Sequence, residues 1–177
     1  MSTADTKRID GRYLVIPLVA LMAITATVFL TIQLSGRGAK ETNYLVLSYT
    51  AGLRDVEEGY YADAVKNLTP VIKSGSRPEA YGWRGEALLG MKKYREAEAD
   101  FREALKFHPE VPANYAGLGA ALAGQGRNSE AMTAFDTAIA LLKDPGSAAH
   151  GTVRRTGDTL ESVEKLKANA ATGRGAL

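Results

Sequence analysis

The chain has 177 residues, 45% of them apolar, enough for one modest packed domain with extensions. It contains no cysteine, which excludes disulfides, thiolate metal sites, acylation at cysteine and cysteine nucleophiles. The +2 formal charge is uneven: residues 1–40 hold five Lys/Arg against two Asp/Glu and residues 41–177 hold seventeen against eighteen, so the basic balance belongs to the N-terminal segment and no basic stripe for nucleic acid is present.

The first predicted element is an anchor. Tyr13 to Gln33 carries no charged residue, and its 21 residues would span roughly 31 Å as a helix, the thickness of a bilayer's hydrocarbon core. A cleaved signal peptide is a weaker fit, because the stretch exceeds the ~7–15 residues of such a segment and no A-x-A site follows. A buried core helix of this length would ordinarily carry a polar residue. The expectation is therefore a tail over 1–12, a transmembrane helix over 13–34 and a linker over 35–44. Lys7, Arg8 and Arg12 before the span, against Arg37 and Lys40 after it, favour a cytoplasmic N-terminus and, in a bacterium, a periplasmic C-terminal domain on the inner membrane. Ala20, Ala23, Thr27 and Thr31 recur at helical spacing as a face on which a partner helix would pack.

Next come paired helical patterns. In residues 78–111, Tyr81, Gly85, Ala87 and Leu88 mark one helix face, and Tyr94, Ala97, Phe101 and Ala104 mark a second. GMKKY forms the turn between them, and His108-Pro109 ends the second helix. Residues 112–145 repeat the scheme: Ala131, Phe135 and Ala138 fall 34 positions after Ala97, Phe101 and Ala104. Residues 45–77 repeat it less closely, with Asp55 where an apolar residue is expected and Pro70 inside the second helix, where it should bend or shorten it. Gly52, Gly85 and Gly119 fall where the first helix of each pair meets the second. Ala64, Ala97 and Ala131 fall on the facing side, and Phe101 and Phe135 fill the space between successive pairs.

Residues 146–177 are expected to comprise a loop, a capping helix over about 158–172 and a mobile tail. Asp158 and Glu161 are the expected capping box. Leu160, Val163, Leu166 and Ala170 give an edge that would close the last bare face of the array.

This pattern over 45–145 resembles the tetratricopeptide repeat family, and the chain as a whole is similar to a membrane-anchored bacterial protein of that family. The resemblance implies an all-α fold: the N-terminal transmembrane helix, an α-solenoid of about three helix hairpins and the C-terminal capping helix. It implies binding of protein segments, not catalysis. By that resemblance the first helix of each pair lines a groove, formed by Tyr49, Leu53 and Val56, then Gly82, Trp83, Glu86 and Leu89, then Ala116, Ala120 and Ala123. Members that clamp a peptide's terminal carboxylate use Lys, Arg and Asn there. This set is missing, and a small, apolar groove better suits an amphipathic helix or an apolar segment. Trp83 is the expected anchor, or alternatively packs within the array.

Enzymatic readings have little to stand on. Only His108 and His150 occur, and two His without Cys form no recognisable metal site. No Walker-type loop is present, and GLGAALAGQG lies within a helix pattern, so no cofactor and no small-molecule substrate is expected. The acidic residues Glu96, Glu98, Asp100 and Glu103 interleave with Lys/Arg as a solvated helix face. The expected partners are proteins, as subunits of a membrane complex, together with the bilayer itself. The expected role is an accessory or assembly subunit. A transient periplasmic assembly or secretion adaptor is one alternative, and a cytoplasm-facing adaptor, should the orientation be reversed, is another.

Overall fold

The computed structural model of the protein describes residues 26–27, 40–143 and 159–173. The chain divides into two units, 1–44 and 45–177. In the first, the described residues 26–27 and 40–44 are helical. The second holds three antiparallel helix pairs and a closing helix. The elements are α1 (helical over 40–57), α2 (Tyr61–Ser74), α3 (Ala80–Gly90), α4 (Tyr94–Phe107), α5 (Pro112–Gly124), α6 (Asn128–Lys143) and α7 (Leu160–Ala171). Neighbours in sequence pack on each other from α2 through α7, and α5 also touches α3 and α7, as a solenoid requires.

The membrane anchor expected from the sequence is corrected. Among the described residues no helix is long and apolar enough to cross a membrane. The helices α2 to α7 have 11 to 16 residues, which at ~1.5 Å per residue is short of a ~30 Å hydrocarbon core. Helix α1 carries Lys40, Glu41, Arg54, Asp55 and Glu57, which a bilayer would exclude. Of the segment 13–34 only residues 26–27 are described, and Ala20, Ala23 and Thr31 of the expected helix-packing face lie outside the described residues. Thr27 of that face is helical and exposed. The single-pass anchor, and the inner-membrane and periplasmic placement built on it, are withdrawn.

Glycine against a bulky side chain sets the spacing within and between pairs. A Cβ on Gly52 would lie 2.6 Å from Leu68, on Gly85 3.0 Å from Phe101 and on Gly119 2.7 Å from Phe135. Phe101 is wedged from both sides, because a Cβ on Gly117 of the following pair would lie 2.3 Å from the same ring. Two further contacts escape the sequence reading: Gly90 receives Tyr61 and Gly124 receives Tyr94, so the end of each first helix sits on the tyrosine that opens the preceding second helix. Ala64, Ala97 and Ala131 are each fully buried.

Two cores result. The larger runs from Leu88 and Leu89 through Phe101, Leu122 and Phe135 to Val163, Leu166 and Ala170, joining α3 to α7. The smaller gathers Leu68, Val71, Ala80 and Trp83, with half-buried Leu45, Tyr49, Leu53, Val56 and Ile72 packed on it. Helix α7 closes the array, buried through Val163, Leu166 and Ala170. Its cap is Thr159, whose hydroxyl accepts from the Ser162 N–H, while the Ser162 side chain reciprocates. The cap thus sits one residue later than the Asp158 expected from the sequence. A serine completes the box where a glutamate was expected.

The irregular first pair is accommodated locally. Asp55, 6% exposed, accepts a 2.7 Å hydrogen bond from Asn67 Nδ2, which supplies the partner that a buried carboxylate needs. Helix α2 runs through Pro70 to Ser74. The missing N–H leaves the carbonyl of exposed Lys66 to solvent, and the Thr69 hydroxyl donates to the Val65 carbonyl at 2.6 Å beside it.

Gly117→Ala is expected to destabilise the fold by about 1–2 kcal/mol, because overpacking against a caged ring (~1–3 kcal/mol) outweighs the ~1 kcal/mol gain in helix propensity. Urea denaturation measures this. Adding Phe101→Leu to that variant should cost less than the same change made in the native chain, since the two residues share one space.

Candidate functional site

The expected groove residues fall into two groups. Tyr49, Leu53, Val56 and Trp83 meet in the smaller core. Leu89, Ala116, Ala120 and Ala123 belong to the larger one. Trp83 is only 8% exposed, so it packs between the first and second pairs rather than standing free as an anchor for a ligand. Leu89, Ala116 and Ala120 are buried outright, and so is Gly82. Solvent reaches Tyr49, Leu53, Val56, Glu86 and Ala123 in part. The accessible portion of the surface therefore lies along α1 and the middle of α3.

On α1 the half-buried residues Leu45, Tyr49, Leu53 and Val56 recur at spacings of four, four and three, one helical face. Val46 and Leu47 beside them are 42% and 67% exposed. The guanidinium of Arg77, from the connection to α3, lies 4.8 Å above the Tyr49 ring. Helix α5, by contrast, buries nearly its whole length from Pro112 to Leu122.

Charge is organised away from this face. Arg84 on α3 donates through Nε and Nη2 to both oxygens of Asp100 on α4, at 2.7 and 2.8 Å, and through Nη1 to Thr69 on α2 at 3.3 Å. Its pKa is raised by the Asp100 hydrogen bonds despite partial burial. Asp100 is 5% exposed, so the fork ties three helices together where a lone carboxylate would be costly.

A second network joins α4 to the α5–α6 turn. Glu98 accepts from Arg102 on one oxygen, and from Gln125 and Arg127 on the other, each of the last two at 2.8 Å. Arg127 also forks onto Glu130. Burial works to raise the Glu98 pKa, but the donors from Gln125, Arg102 and Arg127 outweigh it and hold the carboxyl below the ordinary value of 4.5. Arg127 is pushed up by the same carboxylates, Glu130 first, and Glu130 is lowered in turn. From sequence alone these acids read as a solvated helix face interleaved with Lys/Arg. Only the contact across 27 or 29 positions distinguishes them.

Among the described residues no group of three or more His, Asp or Glu is placed to hold a metal ion. His108 ends α4 with its Nδ1 3.3 Å from Glu110 and its Nε2 3.7 Å from Glu79. His150 lies outside the described residues.

Stacked helix pairs at a near-constant interval, with a solvent-accessible apolar ladder on α1, define an α-solenoid. A family model described as tetratricopeptide repeat matches residues 88–155. The fold is similar to the TPR2B-domain:pHsp70 complex of yeast Sti1, with a TM-score of 0.61 and 20% identity over 74% of this chain and 98% of that one. It is also similar to the TPR2AB-domain:pHSP90 complex of yeast Sti1 (0.60, 19%, 76% of this chain and 51% of that one). The second TPR domain of human RPAP3, solved in complex with an HSP70 peptide, gives 0.54 and 24% over 71% of this chain and 98% of that one. No curated protein sequence matches. The family model covers part of the array, and the likeness to these solved structures shows a shared all-α repeat fold.

Because the Glu98 carboxyl titrates lower in the folded state than unfolded, its network contributes fully above the ordinary glutamate pKa and loses that contribution as pH falls through the lower folded value. Glu98→Gln should therefore lower the urea midpoint near neutral pH, with the gap to the native chain closing as pH drops below about 4. A gap of constant size at every pH would assign Glu98 to packing instead.

Proposed function

We propose that this chain is a non-enzymatic scaffold, an accessory or assembly subunit that holds a protein partner against the first helices of its hairpins. The observation that carries this reading is the ladder Leu45, Tyr49, Leu53 and Val56, packed on one side by Trp83 and Leu68 and reaching solvent on the other. A half-buried apolar face on a rigid helix is pre-organised to receive a second apolar segment.

The similar structures, solved with Hsp70 and Hsp90 peptides, support binding of a protein segment. The feature held here differs from a terminal carboxylate. The groove positions carry no Lys or Arg, Glu86 adds negative charge, and Arg77 lies over the Tyr49 ring. The partner segment suited to this face is apolar along one side, an amphipathic helix or an extended strand. Capture of clients in passing uses the same face, and the lifetime of the contact separates that use from permanent assembly.

A photoreactive residue in place of Val56 is expected to give one dominant protein adduct in the native cell. The adduct should disappear when Leu53 is changed to Glu in a variant whose circular dichroism is unchanged. The same residue at Lys106, exposed on α4, serves as the control and should give none. Adducts of equal strength at both positions would refute the reading.

A further inference from the structure

The hairpin turns run along one edge of the array, and the second differs from the others. The turn residue in the left-handed region is Gly59 (φ 81) in the first pair and Gly126 (φ 76) in the third, but Lys92 (φ 59) in the second. Glycine is the relaxed choice at such a backbone, and a lysine there is strained. The residue that bears this strain opens onto a cavity of about 480 Å³. Lys92, Lys93, Arg95 and Arg127 contribute four cations to its walls, and among the described residues Glu96 is the one acid lining it. The first turn carries Glu57 and Glu58 instead, so the charge belongs to this turn and is not a general property of the edge.

These cations are unequally committed. Arg127 is fixed by Glu98 and Glu130, and Gln125 by Glu98, which makes that wall rigid. Lys93 pairs with Glu96 at 3.4 Å. Lys92 and Arg95 make no ion pair among the described residues and are exposed. Tyr94, held against Gly124, lends an aromatic surface to the same cavity. Cations strung along a turn and the start of a helix, beside an aromatic ring, suit a row of carboxylates on an extended chain better than one compact anion.

We propose that this turn-edge cavity, formed where α4 begins beside the α5–α6 turn, binds an acidic peptide segment of a protein partner through Lys92 and Arg95. The proposal rests on the reading of the chain as a protein-binding scaffold but uses a face separate from the α1 ladder.

The test is fluorescence anisotropy with the full chain and a short labelled peptide of alternating glutamate and serine, at low and at physiological salt. The native chain should bind it, more weakly as salt rises, and should not bind the glutamine–serine analogue. Lys92→Gly/Arg95→Gln should weaken binding by about tenfold or more. That variant should melt no lower than the native chain, since glycine relieves the turn, so any loss is not a loss of fold. No binding at low salt, or equal binding by the variant, would overturn the proposal. So would competition by inorganic phosphate as effective as by unlabelled peptide, or tighter binding of a single-stranded oligonucleotide. Val56→Glu separates the two surfaces: peptide binding should persist in it while the α1 partner is lost. Loss of peptide binding there as well would also count against a separate site.

Discussion

The array depends on close approach between a helix backbone and a bulky side chain. At Gly52, Gly117 and Gly119 a single methyl group would enter a neighbour's side chain, and at Gly85 it would press on the Phe101 ring. Dispersion is strong only at such contact, so the ring of Phe101 gains partners on both sides and in doing so fixes the distance between the second and third pairs. Everything carried on the first helices, including the ladder on α1, inherits its position from that spacing. Glycine inside a helix costs conformational entropy, and the packing it permits is what offsets the cost.

Polar contacts then discriminate between pairs that apolar packing alone would leave interchangeable. The Arg84–Asp100 fork occurs only in the second pair. The equivalent positions are Ala51 and Asn67 in the first and Leu118 and Ala134 in the third. A slip of α3 against α4 would bury that carboxylate without its guanidinium, a penalty larger than the pair's own contribution. Asp55 with Asn67 and Glu98 with Arg127 mark the first pair and the second-to-third junction in the same way. The repeat supplies the architecture, and these departures from it supply the order.

The hairpins were legible because helix pairing is a local consequence of apolar spacing. Ala97, Phe101 and Ala104 lie on one face whatever surrounds them. Burial from a neighbouring pair was not. Periodicity places Trp83 on a face of α3 but does not reveal that Leu68 and Val71 come from the preceding pair to cover it. The same limit hid the tyrosines against Gly90 and Gly124, although Tyr61 and Tyr94 recur at 33 residues and the glycines at 34. The Lys92-Lys93 turn read as merely polar, because a sequence does not announce a left-handed lysine. The apolar run over 13–34 shows a different limit. Hydropathy describes a segment's preference for a solvent, and among the described residues no helix meets the length and polarity that a bilayer demands.

The division into two cores has a mechanical consequence. Helices α3 to α7 share one continuous apolar interior, and the first hairpin joins it through Trp83, through Val65 and through Tyr61 against Gly90. In a stack whose units are held only by their neighbours, free energy of opening follows the local interface rather than the whole. The first hairpin is therefore held to the array through the interface of α2 with α3. The face that meets solvent on α1 is mounted on this terminal hairpin of the described array. Opening there would free Trp83 and the α1 ladder in one step, because both are packed in the same small core.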